Sequence, residues 1–273
     1  MIAMQGFAGS FHELAAHHYF GAHTPTLPCA TFGEVVRRVA DGRAAAAVMA
    51  IENSIAGSIL PNYTLLRKSG LRVTGEVYLR IRQHLLAAPE QELADIREVH
   101  SHPMALLQCA DFLEQHPHWR LVETEDTALS ARHLAEQPRA GVAAVAGQRA
   151  AELFGLRVLA PDIQTEPHNY TRFLVVARPE NAPAASRPNK ASLYFQAAHR
   201  QGSLAQVLAC IAGQGINLSK LQSCPLPGAT WQYYFHADLE FDHPEQLSAA
   251  LHDLASVTEG LEVLGVYRKG RTH

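Results

Sequence analysis

Three short segments of this 273-residue chain concentrate side chains suited to a small anion. The first is Ile51-Glu52-Asn53-Ser54-Ile55-Ala56-Gly57-Ser58, which follows a wholly apolar run. Its Asn and Ser side chains, with free N–H groups near a helix start, suit a carboxylate. They equally suit a capping loop without a ligand. The second is His100-Ser101-His102-Pro103, followed by Gln108-Cys109. Gln108 falls on a helical face with Leu106, Leu107 and Phe112, so its amide must find partners in the core or on a ligand. The third is Asn169-Tyr170-Thr171-Arg172-Phe173. Arg172 puts a permanent cation at the edge of an apolar strand. That suits a bidentate carboxylate partner; the alternative is a structural ion pair with Asp162 or Glu166.

Other chemistries lack their residues. Sixteen histidines include His17-His18, His100-x-His102 and His116-x-His118, but no His-Glu-x-x-His and no Cys/His quartet occurs. No metal and no cofactor is expected. No Gly-x-Gly-x-x-Gly follows a strand, and Walker A and Gly-x-Ser-x-Gly motifs are missing. A net charge of −3 gives no basic field for nucleic acid. No apolar run reaches the roughly 20 residues of a membrane helix. The first residues lack a secretory pattern, and Cys29, Cys109, Cys210 and Cys224 are scattered. We expect reduced thiols and a cytoplasmic protein.

The elements that must position these segments change character once. Residues 177–190 hold Pro179, Pro183 and Pro188 and no large apolar residue, which marks an extended linker. The expected division is 1–178, linker 179–190, and 191–273. Before the linker, Ser10-x-x-Glu13 and Thr31-x-x-Glu34 are capping boxes that open helices, and Gly42 stops the second. Ala44–Ile51 is an apolar strand covered on both faces. Val73–Leu86 is extended, Met104–Gln115 is a helix begun by Pro103, and Thr171–Ala177 is a last apolar strand. The pattern predicts an α/β domain with parallel strands. After the linker come a strand at Ala191–Ala198, a helix at Ser203–Gly213, strands at Ile216–Ser223 and Thr230–Glu240, a helix at Pro244–Val257 and a strand at Leu261–Arg268. This is the βαββαβ, ferredoxin-like order. Two helices cover one face of such a sheet, so a homo-oligomer is expected.

The three segments, taken in order with Gly6-x-x-Gly9-Ser10 and Ala146–Leu156, resemble the successive motifs of the prephenate dehydratase family. The tail resembles the ACT regulatory domain that follows in that family. The resemblance covers nearly the whole chain. It implies a bilobal catalytic domain, like a periplasmic binding protein, with the site in the cleft. It implies conversion of prephenate to phenylpyruvate with loss of carbon dioxide and water. By motif position Thr171 takes the essential threonine, next to Arg172 and Phe173. Asn53, Ser54, Ser101 and Gln108 take the other polar positions, and Gly57 and Glu52 join the substrate loop. The expected roles are Arg172 on the surviving carboxylate and Thr171 at the leaving hydroxyl, with Glu52 or a histidine as reserve acid.

The tail departs from the family pattern. Gly202-Ser203-Leu204 matches Gly-Ala-Leu, and Gln222-Ser223-Cys224-Pro225 matches Glu-Ser-Arg-Pro, with Gln and Cys replacing the charged pair. Phenylalanine is the expected effector, held there with Asn217, in a homodimer or homotetramer. Two other readings stay open: the same chemistry on arogenate, and a non-catalytic amino-acid sensor.

Overall fold

The computed structural model describes residues 1–183, 185–226, 228 and 232–271. Its first sheet contains β1 (Ile2–Gln5), β2 (Thr26–Cys29), β3 (Ala46–Asn53), the two-residue β4 (Gly57–Ser58) and β5 (Arg72–Arg80). The second contains β6 (His84–Ala87), β7 (Glu98–Ser101), β8 (Arg120–Glu123), β9 (Val142–Ala146) and β10 (Arg157–Ala160). The chain then returns to the first sheet as β11 (Tyr170–Ala177). The strand orders are β2-β1-β3-β11-β5, with β4 on β3, and β10-β6-β9-β7-β8.

The sheets are mixed, which corrects the expectation of parallel strands. β1, β2 and β3 are parallel, but β11 is antiparallel to both β3 and β5. In the second sheet β7 is parallel to β8 and β9, and β6 is antiparallel to β9 and β10. The antiparallel members sit where the chain crosses between sheets. The predicted extended run 73–86 is one of these crossings, so it supplies β5 to one sheet and β6 to the other.

Helices α1 (Phe11–Phe20), α2 (Phe32–Ala40) and α3 (Leu60–Ser69) cover the first sheet. Both capping boxes form: the Glu13 and Glu34 amides donate to Ser10 Oγ and Thr31 Oγ1, and each Glu carboxylate takes the amide just before the cap. The apolar run in β3 is buried on both faces, as a central strand requires. Ala46, Val48 and Ala50 pack with Phe173 under α1, while Ala47 and Ile51 pack with Leu174 and Val176 under α2 and α3.

Around the second sheet lie α4 (Pro103–Gln108), α5 (Ala110–Glu114), α6 (Thr127–Glu136) and α7 (Gln148–Phe154). The single helix predicted over 104–115 is broken at Cys109, and Leu107 is exposed rather than in the core. No described helix is long and apolar enough to cross a membrane. The four cysteines are free.

The third sheet holds β12 (Lys190–Gln196), β13 (Asn217–Pro225), β14 (Tyr233–Glu240) and β15 (Glu259–Tyr267), with α8 (Ser203–Gly213) and α9 (Pro244–Val257). Its order is β13-β14-β12-β15, within the βαββαβ sequence. The predicted strand start at Thr230 lies outside the described residues, as does Ala184 of the linker. Helices α8 and α9 cover one face through Val207, Ile211, Leu247 and Leu254. The other face is not open. Cys224, Tyr234, Leu264 and Tyr267 share a core with Tyr63, Leu66 and Val73 of the first lobe. The face expected to recruit a second copy is covered from within the chain; β13 keeps a free edge.

This joint is tight at the backbone. A Cβ on Gly265 of β15 would fall 1.9 Å from the Val73 carbonyl oxygen of β5. Neither atom belongs to a flexible side chain. We predict that Gly265→Ala destabilises the protein by at least about 2 kcal/mol, since overpacked sites that cannot relax cost this much. Urea unfolding checks it, and an unchanged midpoint would show that the joint yields freely.

Candidate active site

A cleft of about 360 Å³ lies between the two lobes. The first lobe contributes Gln5, Ser10, His12, Asn53, Thr171 and Phe173, and the second Gln83, His102, Gln108, Glu125, Asp126 and Thr127. Phe11, Ile59, Ile81 and Met104 supply apolar wall. None of the described lining residues is a lysine or an arginine.

Asn53 organises one wall. It ends β3 opposite Thr171 in the β3–β11 register. Its Oδ1 accepts from the Ile55 and Ala56 amides at 3.0 and 2.9 Å, which fixes the orientation of the side-chain amide. Its Nδ2 therefore faces acceptors: Asn169 Oδ1 at 2.6 Å and Thr171 Oγ1 at 3.1 Å. Because Thr171 Oγ1 receives this bond, its own proton is free to point into the cleft.

Three groups were missed in the sequence. His12 lines the cleft, with its ring edge-on to Phe173 at 5.0 Å between centroids. Its Nε2 is enclosed without a hydrogen-bond partner among the described residues. Burial pushes its pKa down to about 4, so the ring is neutral near pH 7. Asp126 caps α6, accepting from the Leu129 amide at 2.9 Å. Burial raises its pKa more than the amides of Leu129 and Ala128 lower it. Gly6, at φ +93°, makes room here, since a Cβ would lie 3.0 Å from Asp126 Oδ2. Gln83 is buried, and its Oε1 has no partner among the described residues. The Gly6-x-x-Gly9-Ser10 opening was the available signal for His12; nothing in the sequence singled out Gln83.

Of the expected site residues, the cleft gathers Asn53, Gln108, Thr171 and Phe173. Others lie elsewhere. Ser101 is buried and donates to the Val145 carbonyl at 2.6 Å, a bond internal to the second sheet. Ser54 Oγ accepts from the Tyr170 amide and donates to the His168 carbonyl, closing the loop. Gly57 is exposed at the start of β4, at φ +82° with open space around it. Glu52 pairs with Lys220 at 2.7 Å. That contact, on the sheet face away from Asn53, removes it as a reserve acid.

Arg172 requires the largest correction. Strand alternation turns it away from the cleft that Thr171 and Phe173 face. Its Nε and Nη2 donate to Glu76 at 2.7 Å, and Nη1 pairs with Asp238 of the third sheet. It is an ion-paired residue of the joint, not a partner for a substrate carboxylate. The expected structural partners also differ, since Asp162 pairs with Arg82. Burial disfavours the Arg172 charge, but Asp238, Tyr267 and Glu76 outweigh it and hold the guanidinium firmly protonated. Burial likewise opposes ionisation of Asp238, and Arg172 and His236 overcome it, keeping that carboxyl well below the usual carboxylate range.

The expected effector residues do not share one end of the third sheet: Asn217 lies at the end marked by Lys190 and Glu240, and Gln222–Pro225 toward the end marked by Gln196 and Tyr233. Gly202, Ser203 and Leu204 begin α8, Asn217 begins β13, and Gln222–Pro225 end it. Leu204 alone of these lines a hollow of about 590 Å³ bounded by 196–201, Tyr233 and Phe235. Cys224 is buried toward the first lobe. His100 pairs with Glu98, while His102 Nδ1 caps α4, so the two do not form a ligand pair. Among the described residues no group of three or more His, Cys, Asp or Glu could hold a metal.

The fold defines an α/β protein whose first two sheets form lobes with a cleft between them. The family model described as prephenate dehydratase matches residues 2–181. A bifunctional chorismate mutase/prephenate dehydratase of Enterobacter agglomerans is 33% identical over 270 residues, covering 97% of this chain and 70% of that protein. A bifunctional N-acyl-homoserine lactone acylase/prephenate dehydratase of Komagataeibacter europaeus is 37% identical, covering 98% of this chain and 95% of the relative. A prephenate dehydratase from Arthrobacter aurescens, crystallised in complex with L-Phe, superposes with a TM-score of 0.85 at 30% identity, covering 98% of this chain and 89% of that one. The chain belongs to the prephenate dehydratase family.

His12 predicts a pH dependence of stability. Its folded pKa is lowered from 6.5 to about 4. The stability gained by keeping it neutral is complete above pH 6.5 and is lost as pH falls toward 4. Between pH 7 and pH 4.5 the parent should lose about 2 kcal/mol more than His12→Gln. Parallel urea unfolding at the two pH values measures the difference, and equal losses would remove His12 as the cause.

Proposed function

We infer that the chain converts prephenate to phenylpyruvate, carbon dioxide and water, a step of phenylalanine biosynthesis. The Asn53–Thr171 hydrogen bond on the cleft wall carries the reading. Prephenate bears two carboxylates and a ring hydroxyl, and hydroxide is a poor leaving group that needs a proton. Thr171, accepting from Asn53, directs its hydroxyl proton at the leaving oxygen. Threonine is a weak acid, so it holds and relays rather than supplies the net proton. Asp126, whose carboxyl is pushed up by burial at the same cleft, supplies it. The ring C–O bond breaks as water forms. The ring carboxylate departs as carbon dioxide, and its bonding electrons complete the aromatic ring.

The lining supports this division. A cation on the departing carboxylate would oppose its loss, and no Lys or Arg stands among the described lining residues. Phe11, Ile81 and Phe173 provide the apolar side, while Gln108 and Thr127 offer uncharged donors to the carboxylate that survives.

The third-sheet domain is proposed as an ACT regulatory domain that takes L-phenylalanine at Gly202–Leu204, Asn217 and Gln222–Pro225. The likeness to a relative crystallised with L-Phe supports this. A homodimer or homotetramer joined through the free β13 edge and a cytoplasmic location complete the reading.

Thr171→Ala should lower turnover of prephenate by about 10²–10⁴-fold, the range for a lost proton-transfer group. Phenylpyruvate formation against a no-enzyme control measures it, and turnover within a few-fold of the parent would sink the assignment. Arogenate and an N-acyl-homoserine lactone, offered in parallel, separate the alternative substrates; binding without turnover of any would favour a sensor. L-Phenylalanine titrated into the same assay is expected to depress turnover, and a flat titration would count against the regulatory site.

A further inference from the structure

We propose that Lys220 and Asp238, both in the third sheet, are positioning residues for the reaction: they pin the two strands that carry Asn53 and Thr171. The proposal rests on the reading that this pair stands at the reacting centre. In the β3–β11 register Thr171 lies opposite Asn53, and the next pair is Arg172 opposite Glu52. Alternation puts the first pair toward the cleft and the second toward the third sheet. Both members of the second pair are tied there. Lys220 Nζ of β13 contacts Glu52 Oε1 at 2.7 Å and Ser58 Oγ at 2.8 Å. Asp238 of β14 takes Arg172 Nη1. Each site residue thus has its immediate chain neighbour anchored to an adjacent strand of the other domain.

The anchoring falls where the strand pairing is weakest. The β3–β11 register shifts between Arg172 and Phe173, so Ile51 has no opposite residue. A bulge bends the strand and re-aims the side chains beside it. Backbone pairing alone fixes the Asn53–Thr171 geometry less firmly there than in a regular ladder. The ties from behind supply the missing restraint. Arg172 itself is rigidly seated, with Tyr267 Oη at 3.3 Å and Glu76 at 2.7 Å.

The experiment uses the full chain with prephenate. Glu52 is partly solvent-accessible, so Lys220→Met removes the tie without leaving a fully buried charge. Asp238→Asn removes the second tie. Each variant is expected to lower kcat by about tenfold or more while KM stays within about threefold, since a 1 Å misplacement at a reacting centre has effects of this order. A positioning role further requires non-additivity: in an Asn53→Ala background, Lys220→Met should change kcat no further. A role confined to folding would leave kcat per folded molecule unmoved. If Asp238→Asn fails to fold, Lys220→Met decides. Folded Lys220→Met with kcat within twofold of the parent, or a loss that multiplies with that of Asn53→Ala, overturns the proposal. A folded parent that does not turn over prephenate overturns the functional reading on which it rests, and the proposal with it.

Discussion

The burial of Arg172 is the constraint to which the rest of the molecule conforms. A guanidinium that is 4% exposed cannot stay unpaired. Its partners come from separate elements: Glu76 from β5, Asp238 from β14 and Tyr267 from β15. Glu76 also receives Lys190 Nζ at 3.1 Å and the Gly270 amide at 3.1 Å. Asp238 receives Ser192 Oγ and stands 3.2 Å from His236 Nε2. Two cations thus face two central carboxylates, with hydroxyls filling the remaining positions. Such a cluster adds little net stability over an apolar core of the same shape. Its effect is selective: an arrangement of the third sheet that misplaces β14 or β15 leaves a buried charge uncompensated. Gly265 of β15 and Gly270 just beyond it let this stretch come close enough to β5 for the contacts to form.

The joint and the cleft divide the chemistry of one strand. Residues 171 and 173 face the cleft, and 172 faces the joint. Its cation is spent on Glu76 and Asp238, which leaves the cleft to neutral donors, apolar wall and acids of the α6 entrance. A reaction that must lose one carboxylate as a neutral gas gains from that partition, because a strong cation would stabilise the group that has to leave. The same economy appears on β3, where Asn53 faces the cleft and Glu52 faces Lys220.

Much of this was legible in the residues. The capping boxes at Ser10 and Thr31, the buried run of β3 and the βαββαβ order all follow from local chemistry and periodicity. Thr171, Asn53 and Gln108 come together as their motifs imply. The errors have a common cause. Strand direction in the first two sheets depends on where the chain crosses between lobes, and no glycine, proline or other turn residue marks the crossing at 81–83. Ser101, Ser54 and Arg172 share motifs with the cleft residues, although period-two alternation already separates Arg172 from Thr171 and Phe173. What alternation does not tell is what lies on the other face. Glu76 and Asp238 are 96 and 66 residues away in the chain, and no local pattern links them. His12 and Asp126 escaped for a related reason: each lies at a helix start, where a capping or packing role accounts for the residue type completely.

The departure at Cys224 acquires a physical account from the same joint. The family pattern places an arginine there, and the side chain at this position of β13 is buried toward the first lobe rather than exposed on the sheet edge. A cation is nevertheless present nearby. Arg67 of α3 lies over the Tyr234 ring at 4.6 Å from its centroid, and its charge acts on the Cys224 thiol. A second guanidinium in that enclosure would face the first, at a cost that burial magnifies. A small thiol avoids the conflict and fills the space against Tyr234. The cation over Tyr234 at this end of β13 therefore comes from the lobe that carries Asn53 and Thr171.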